Sequence, residues 1–252
     1  MASDLPGTNY DWALKYLTLP ITSVVEVGSR DGLDAVALGR ALGCRVDAFE
    51  AAPEQFLVVE ENIRASELPG ITAHELALLD VGGTIDFWTV DPDVYDNTGL
   101  GSLYEVNFDN RQGSDVDAGR ASIQRKTTVA AARFDTLSVP APDLLVMDVQ
   151  GAETKVLSGF GAMLADCRYV ICEAERVPSY QGGNPFSEVD RFLKGQGFRI
   201  RASTVGSGNN WERRIHFLKT NARIAWREKT LFPTRIYQGV FDVLYVNSRM
   251  SD

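Results

Sequence analysis

Acidic side chains stand at the ends of three short apolar runs. Ser23 to Gly28, SVVEVG, opens into Glu26-Val27-Gly28-Ser29-Arg30-Asp31-Gly32; Arg45 to Glu50, RVDAFE, ends in Glu50; and Asp143 to Val149, DLLVMDV, carries Asp148. Glu50 lies 22 residues beyond Gly28. An acid at about this distance behind a glycine-flanked turn accepts hydrogen bonds from both hydroxyls of a ribose. Each bond to a charged acceptor contributes about 1.5–3 kcal/mol. Turn and acid together point to an adenosine-type cofactor. A dinucleotide needs G-x-G-x-x-G, so that backbone amides and a helix N-terminus approach its pyrophosphate. The chain has G-x-x-x-G instead, with Asp31 where that anion would lie. S-adenosylmethionine has no phosphate and carries a sulfonium cation, which carboxylates attract. The loop therefore favours S-adenosylmethionine and disfavours the nicotinamide cofactor of an oxidoreductase.

Methyl transfer from a sulfonium is an in-line displacement, so most of its rate can come from holding oxygen, methyl carbon and sulfur in a row. A hydroxyl acceptor must also lose a proton, which calls for a base or a metal. Asp148 is the first candidate base. Glu173 ends Tyr169 to Glu173, YVICE, near the same mouth, and Glu175 follows it. Asp148 and Glu173 are also the pair that would share a divalent cation such as Mg²⁺ through hard oxygen ligands. Glu153 falls in the first turn of the next helix, where the dipole alone favours a carboxylate. Gln150, Glu153, Glu175 and Ser102 are placed on the acceptor side. Neither His74 nor His216 lies at an expected strand end, and both are read as structural.

Elements must bring these residues together. SVVEVG and RVDAFE read as buried parallel strands. Between them Asp34 to Gly43 has helical apolar spacing and a glycine stop, and after them Pro53 opens a helix with Phe56, Leu57, Val59 and Ile63 on one stripe, broken at Asn62 to Gly70. Strand and helix alternate as in a doubly wound parallel sheet. Ile71 to Leu79 reads as a third strand, with Gly82-Gly83 as a hairpin turn into Thr84 to Val90. Thr127 to Phe134, Asp143 to Val149, Tyr169 to Glu173, Phe198 to Ala202 and Phe241 to Val246 are further strands; Gly151 to Leu164 is a helix, and Asn184-Pro185 caps and starts another. In such a sheet ligands lie beyond the carboxyl ends of the strands, where strand order reverses. That rule selects Glu26, Gly28, Ser29, Arg30, Gly32, Glu50, Ala51, Asp148 and Val149 as cofactor-side residues.

These residues also resemble a family. Glu26-Val27-Gly28, Phe49-Glu50-Ala51-Ala52-Pro53 followed by Asn62, Ala77-Leu78, Asp135-Thr136-Leu137, and Leu145 to Glu153 (LVMDVQGAE) with Val156-Leu157 and Gly159 resemble the FkbM family of S-adenosylmethionine-dependent methyltransferases. The likeness runs from about residue 22 to 200, and Asp242 to Val246 looks like the family's closing strand. The loop departs from the family's commoner D-x-G-A-N-x-G at Glu26, Ser29, Arg30 and Asp31. The resemblance implies a Rossmann-like seven-stranded, mostly parallel sheet with helices on both faces, and methyl transfer to a hydroxyl oxygen of a sugar, glycan or natural-product acceptor. It implies that Glu50 holds the ribose, that Ala77 and Leu78 border the adenine, and that Asp148 ends the fourth strand beside the transferable methyl. Arg30, where the loop departs from the family, is a candidate either to pair with the methionine carboxylate or to face solvent.

With 252 residues, 44% hydrophobic and 23% charged, the chain has globular composition. It is read as one domain, 1–252, with a lid-like insert at 91–125, where periodicity dissolves, and a basic aromatic insert at 203–238. Cys44, Cys167 and Cys172 form no framework or C-x-x-C pair and are expected as buried thiols. No basic leader with an apolar run opens the chain and no apolar run reaches about 18 residues, so a soluble cytoplasmic protein is expected. The net charge of −9 argues against nonspecific DNA coating. That total is uneven. Residues 199 to 235 hold nine Lys and Arg, including Arg213 and Arg214, against Glu212 and Glu228, so the segment carries +7 and the other 215 residues −16. It also holds Trp211, Phe217, Trp226 and Phe232. The segment fits recognition of an anionic acceptor by Arg forks, single-stranded nucleic acid stacked on Trp, or a solvated basic face or oligomer contact. A noncatalytic anion- or nucleic-acid-binding module on a methyltransferase frame is thus a second functional class.

Overall fold

The computed structural model describes residues 8–91, 94–95, 98–108, 123–204 and 240–250. In chain order its elements are α1 (Asp11–Leu14), β1 (Ser23–Val27), α2 (Leu33–Leu42), β2 (Arg45–Glu50), α3 (Pro53–Ser66), β3 (Ile71–Glu75), β4 (Ala77–Leu78), β5 (Gly83–Val90), β6 (Gln124–Ala132), β7 (Leu144–Met147), α4 (Glu153–Gly159), β8 (Tyr169–Ala174), α5 (Phe186–Gly195), β9 (Phe198–Ser203) and β10 (Phe241–Asn247). Seven strands make one sheet in the order β3-β2-β1-β7-β8-β10-β9. Only β10 runs against its neighbours there; the other pairs are parallel. This is the mostly parallel sheet expected from the sequence.

The continuous apolar runs are explained by burial on both faces. Side chains alternate across a strand. Val24, Val46, Leu144, Val146 and Ile171 pack on one face with Ala35 and Leu38 of α2 and Val59 of α3. Val25, Val27, Leu145, Met147 and Cys172 pack on the other with Val156 and Leu157 of α4 and Val189 and Leu193 of α5. His74 stacks on Phe49 with ring centroids 4.3 Å apart and pairs with Asp47, a structural role as expected. Cys167 and Cys172 are buried, but Cys44 is only half-buried.

Several expectations need correction. Ile71 to Leu79 is two strands, because the Leu76 amide donates to the Glu50 carbonyl while the Leu79 amide reaches Ala132 in a second sheet, β4-β6-β5. Gly82-Gly83 is therefore no hairpin turn: β6 lies between β4 and β5 and takes the hydrogen bonds of both. The helix after β7 starts at Glu153, since Gln150 and Gly151 first turn the chain at positive φ, and after Gly159 it continues only as a 3-10 turn, Gly161–Asp166. Asn184 does not cap α5; its Oδ1 accepts from the Thr154 amide and hydroxyl at 3.1 and 2.6 Å, tying the loop before α5 to α4. In addition α3 runs on to Ser66, through Asn62, whose Nδ2 donates to the Asp31 carbonyl.

Candidate functional site

Strand order reverses between β1 and β7, and the carboxyl ends of β1, β2 and β7 open there into one cleft with about 990 Å³ of atom-free space, part of it open to solvent. The parallel register sets Val27 beside both Phe49 and Met147, so the residues after each strand converge. Gly28, at φ 85, donates to the Phe49 carbonyl at 2.9 Å. A Cβ on Gly28 would lie 2.0 Å from the Asp148 carbonyl oxygen, so only glycine lets the loop pass β7 this closely.

The loop orients the acids around it. Glu50 is buried; its Oε2 accepts from the Arg30 amide at 2.8 Å and its Oε1 from the Ala52 amide at 2.9 Å. Burial raises the Glu50 carboxyl above its ordinary range, and those backbone bonds oppose the rise. Lone pairs remain on both oxygens for ribose hydroxyls. Glu26 is buried and accepts from the Ser29 hydroxyl at 2.6 Å; burial pushes it up to about 8, so it holds its proton at neutral pH until a positive charge is brought near. Arg30, half-exposed, pairs with Asp31 at 3.1 Å.

At the end of β7 the Gln150 amide nitrogen donates to Asp148 at 2.5 Å and to Glu173 at 2.8 Å. Burial first, and the Asp148 charge second, hold the Glu173 carboxyl well above the usual carboxylate range; burial also raises Asp148. An ionised Asp148 makes Glu173 harder to ionise, as two carboxyls sharing one site do. Among the described residues no group of three or more His, Cys, Asp or Glu is arranged to hold a metal.

Of the residues expected from the sequence, Glu26, Gly28, Ser29, Arg30, Glu50, Ala51, Ala77, Leu78, Asp148, Val149 and Gln150 line the cleft. Gly32 is not among the lining residues and lies against Val59 of α3. Glu173 stands behind Gln150. Glu153 is buried under the turn, accepting from the Gly151 amide at 3.0 Å, and burial pushes it up to about 7. Glu175 holds the Ser179 amide and hydroxyl, both at 2.6 Å. The Ser102 hydroxyl donates to the Gln150 carbonyl at 2.8 Å and so ties the segment after β5 to the β7 turn. Arg213 and Arg214, and most of both inserts, lie outside the described residues. Sequence reasoning missed Asn9, Tyr10 and Asp34 on one wall and Ile85, Phe87 and Leu103 on another. The second group had a signal, the apolar residues around β5. The first had none, because it reaches the site only through tertiary contacts.

The wall has two characters. Ala51, Ala77, Leu78, Ile85 and Phe87 give an apolar end, and Glu26, Asp31, Asp34, Glu50 and Asp148 an acidic one on which, among the described residues, Arg30 is the only basic residue. A flat heterocycle fits the first and a cation the second; a pyrophosphate fits neither, which sets the nicotinamide alternative aside. The strand order, with one reversed strand next to the edge, and a glycine loop facing an acid at the end of the second strand define a class I methyltransferase architecture. Residues 26–200 match the Methyltransferase FkbM domain model, and the chain belongs to that family, whose cofactor is S-adenosylmethionine. Comparison with curated proteins found no match. Among solved structures the chain is similar to an FkbM methyltransferase from Methylobacillus flagellatus KT (13% identity, TM-score 0.47, covering 73% of this chain and 40% of that one). It is also similar to precorrin-6y C5,15-methyltransferase from Geobacter metallireducens GS-15 (11%, 0.46, 98% and 92%) and to magnesium protoporphyrin IX methyltransferase from Synechocystis PCC 6803 with bound SAM (13%, 0.47, 94% and 75%). The chain thus spans 40% of the Methylobacillus protein's length. No described helix is long and apolar enough to cross a membrane.

Proposed function

We propose that the protein transfers a methyl group from S-adenosylmethionine to a hydroxyl oxygen of a sugar, glycan or natural-product acceptor. The observation that carries this reading is the Asp148, Gln150 and Glu173 cluster at the end of β7, with Asp148 and Gln150 on the wall of the cleft that Glu50 and the glycine loop also line. When bound, the cofactor supplies a methyl on a sulfonium that leaves as a neutral thioether. Glu50 takes the ribose hydroxyls, Ala51, Ala77 and Leu78 border the adenine, and the Glu26 to Gly32 loop with Val149 holds the methionine part, its carboxylate paired with Arg30. Asp148 receives the proton of the acceptor hydroxyl. Glu173, kept protonated, leaves Asp148 as the ionised member of the pair. Gln150 holds the two carboxyls together, and Ser102, Glu153 and Glu175 act on the acceptor side by fixing the turns around it. An anionic acceptor would draw on Arg213 and Arg214. The three free thiols suit a reducing compartment such as the cytoplasm.

Calorimetric titration with S-adenosylhomocysteine tests the cofactor half. Glu50→Ala is expected to weaken binding at least tenfold, since two charged-acceptor bonds are lost; a folded parent protein that does not bind would remove the reading. With an acceptor in hand, Asp148→Asn is expected to keep cofactor affinity and lose about 10²-fold or more in turnover. Unchanged turnover would place the base elsewhere.

A further inference from the structure

The wall formed by residues 8–10 lies outside the part of the chain that matches the family, yet it is built into the cleft. Asp34, in the first turn of α2, clamps it. Its Oδ1 accepts from the Thr8 hydroxyl at 2.8 Å and the Asn9 amide at 2.7 Å, and its Oδ2 from the Asn9 side-chain amide at 2.7 Å. The Thr8 hydroxyl accepts from the Tyr10 amide at 3.1 Å. This delivers Tyr10 to a buried position where the ring packs in the cluster of Ala13 and Ala35 while the residue lines the cleft.

The placement of Tyr10 is specific to one end of the cleft. The residue lines the cleft together with Glu26 and Asp148, which flank the glycine loop, and the clamp that holds it, Asp34, stands two residues after Gly32 where that loop ends. Glu50, at the end of β2, marks the ribose position. Tyr10 is thus on the loop side, where the charged part of the cofactor belongs. Burial and those carboxylates hold the phenol well above its usual range, so it stays neutral there. A neutral phenol, with an oxygen lone pair and the negative face of a ring, attracts a cation and is indifferent to an uncharged sulfur.

We propose that Tyr10, held by the Asp34 clamp, contacts the sulfonium end of the methyl donor and makes the site prefer the charged donor over its neutral product. The proposal rests on reading the cleft as the S-adenosylmethionine site. A residue that selects in this way also helps product leave, because S-adenosylhomocysteine loses an attraction that the donor had.

Separate titrations of the full chain with S-adenosylmethionine and S-adenosylhomocysteine test it. Tyr10→Leu is expected to weaken the donor about tenfold or more and the product no more than about threefold, in the range of a desolvated cation–aromatic contact. Tyr10→Phe, which keeps the ring, should hold both within about threefold. Thr8→Val, which cuts the link between Asp34 and the Tyr10 amide but leaves the Asp34 carboxylate in place, should reproduce part of the loss of preference by releasing the wall. Combined with Tyr10→Leu it should add less than the sum of the two, since both act through one contact. Equal weakening of both ligands would make Tyr10 merely structural and overturn the proposal, as would no change in either while Glu50→Ala loses both. A parent that binds neither ligand would overturn the reading of the cleft and this proposal with it. Should Tyr10→Leu not fold, Thr8→Val carries the same comparison.

Discussion

Glu26 shows how one buried side chain ties the site to the stability of the protein. Its carboxyl is pushed up to about 8 in the folded chain by burial, whereas in the unfolded chain it would titrate near ~4.3. An acid whose folded value is raised binds its proton more tightly in the native state, so its contribution is fully present below the unfolded value and is lost as pH rises through the folded one. Glu153, pushed up to about 7, acts in the same direction over a shorter window. Stability is therefore expected to fall between about pH 5 and pH 8, by at most ~1.4 kcal/mol per pH unit for each group. Glu26→Gln keeps the shape and removes the charge; it should flatten this slope and raise the melting temperature at pH 8. Thermal melts from pH 5 to 8 read both effects, and parallel slopes in parent and variant would contradict the assignment. A bound cation would favour the ionised form, the same physics that makes this wall suit a sulfonium.

Among the elements, α4 and the second sheet are fitted to each other with no room to spare. A Cβ on Gly159 would lie 2.0 Å from the Leu79 carbonyl oxygen, and Leu78 and Leu79 line the cleft. Gly159→Ala is expected to push α4 off the end of β4 and to destabilise by about 2 kcal/mol or more, as overpacking against backbone does. Weaker S-adenosylhomocysteine binding should accompany it, because the displaced strand is the apolar wall. A denaturant titration with a parallel binding measurement checks this, and an unshifted midpoint would sink it. Strands and helices of the large sheet were legible in the sequence, since buried runs such as LLVM and YVIC have nowhere to go but a two-sided interior. The pairing of β4 with β6 was not legible. Two glycines between β-rich runs suggest a hairpin locally, and only the arrival of Gln124–Ala132 between them decides otherwise.

For the whole molecule, the net charge of −9 conceals how the charges are used. Among the described residues five acids sit on the wall of one cleft, and burial raises Glu26, Glu50 and Asp148 there. Crowding acids in this way costs folding free energy, and a site for a cationic ligand is where the cost has a use. The cleft stands where it does because β1 and β7 are neighbours while their crossovers lead to opposite sides of the sheet. The N-terminal segment then supplies a wall that the sheet alone lacks, fixed by three hydrogen bonds to Asp34.

The sequence by itself determined the layered sheet, the glycine loop and the acids at its strand ends, because apolar period, turn chemistry and the strand-end rule are all local or nearly so. Tertiary structure alone decided which groups those acids meet. Gln150, beside Asp148, reaches Glu173 across 23 residues of chain, Ser102 reaches the Gln150 carbonyl across 48, and Thr8 reaches Asp34 across 26. Such contacts depend on register and crossover, which composition and periodicity do not encode. Their consequence is that Asp148 faces the cleft while Glu173 stands behind Gln150, and that Tyr10 joins the lining.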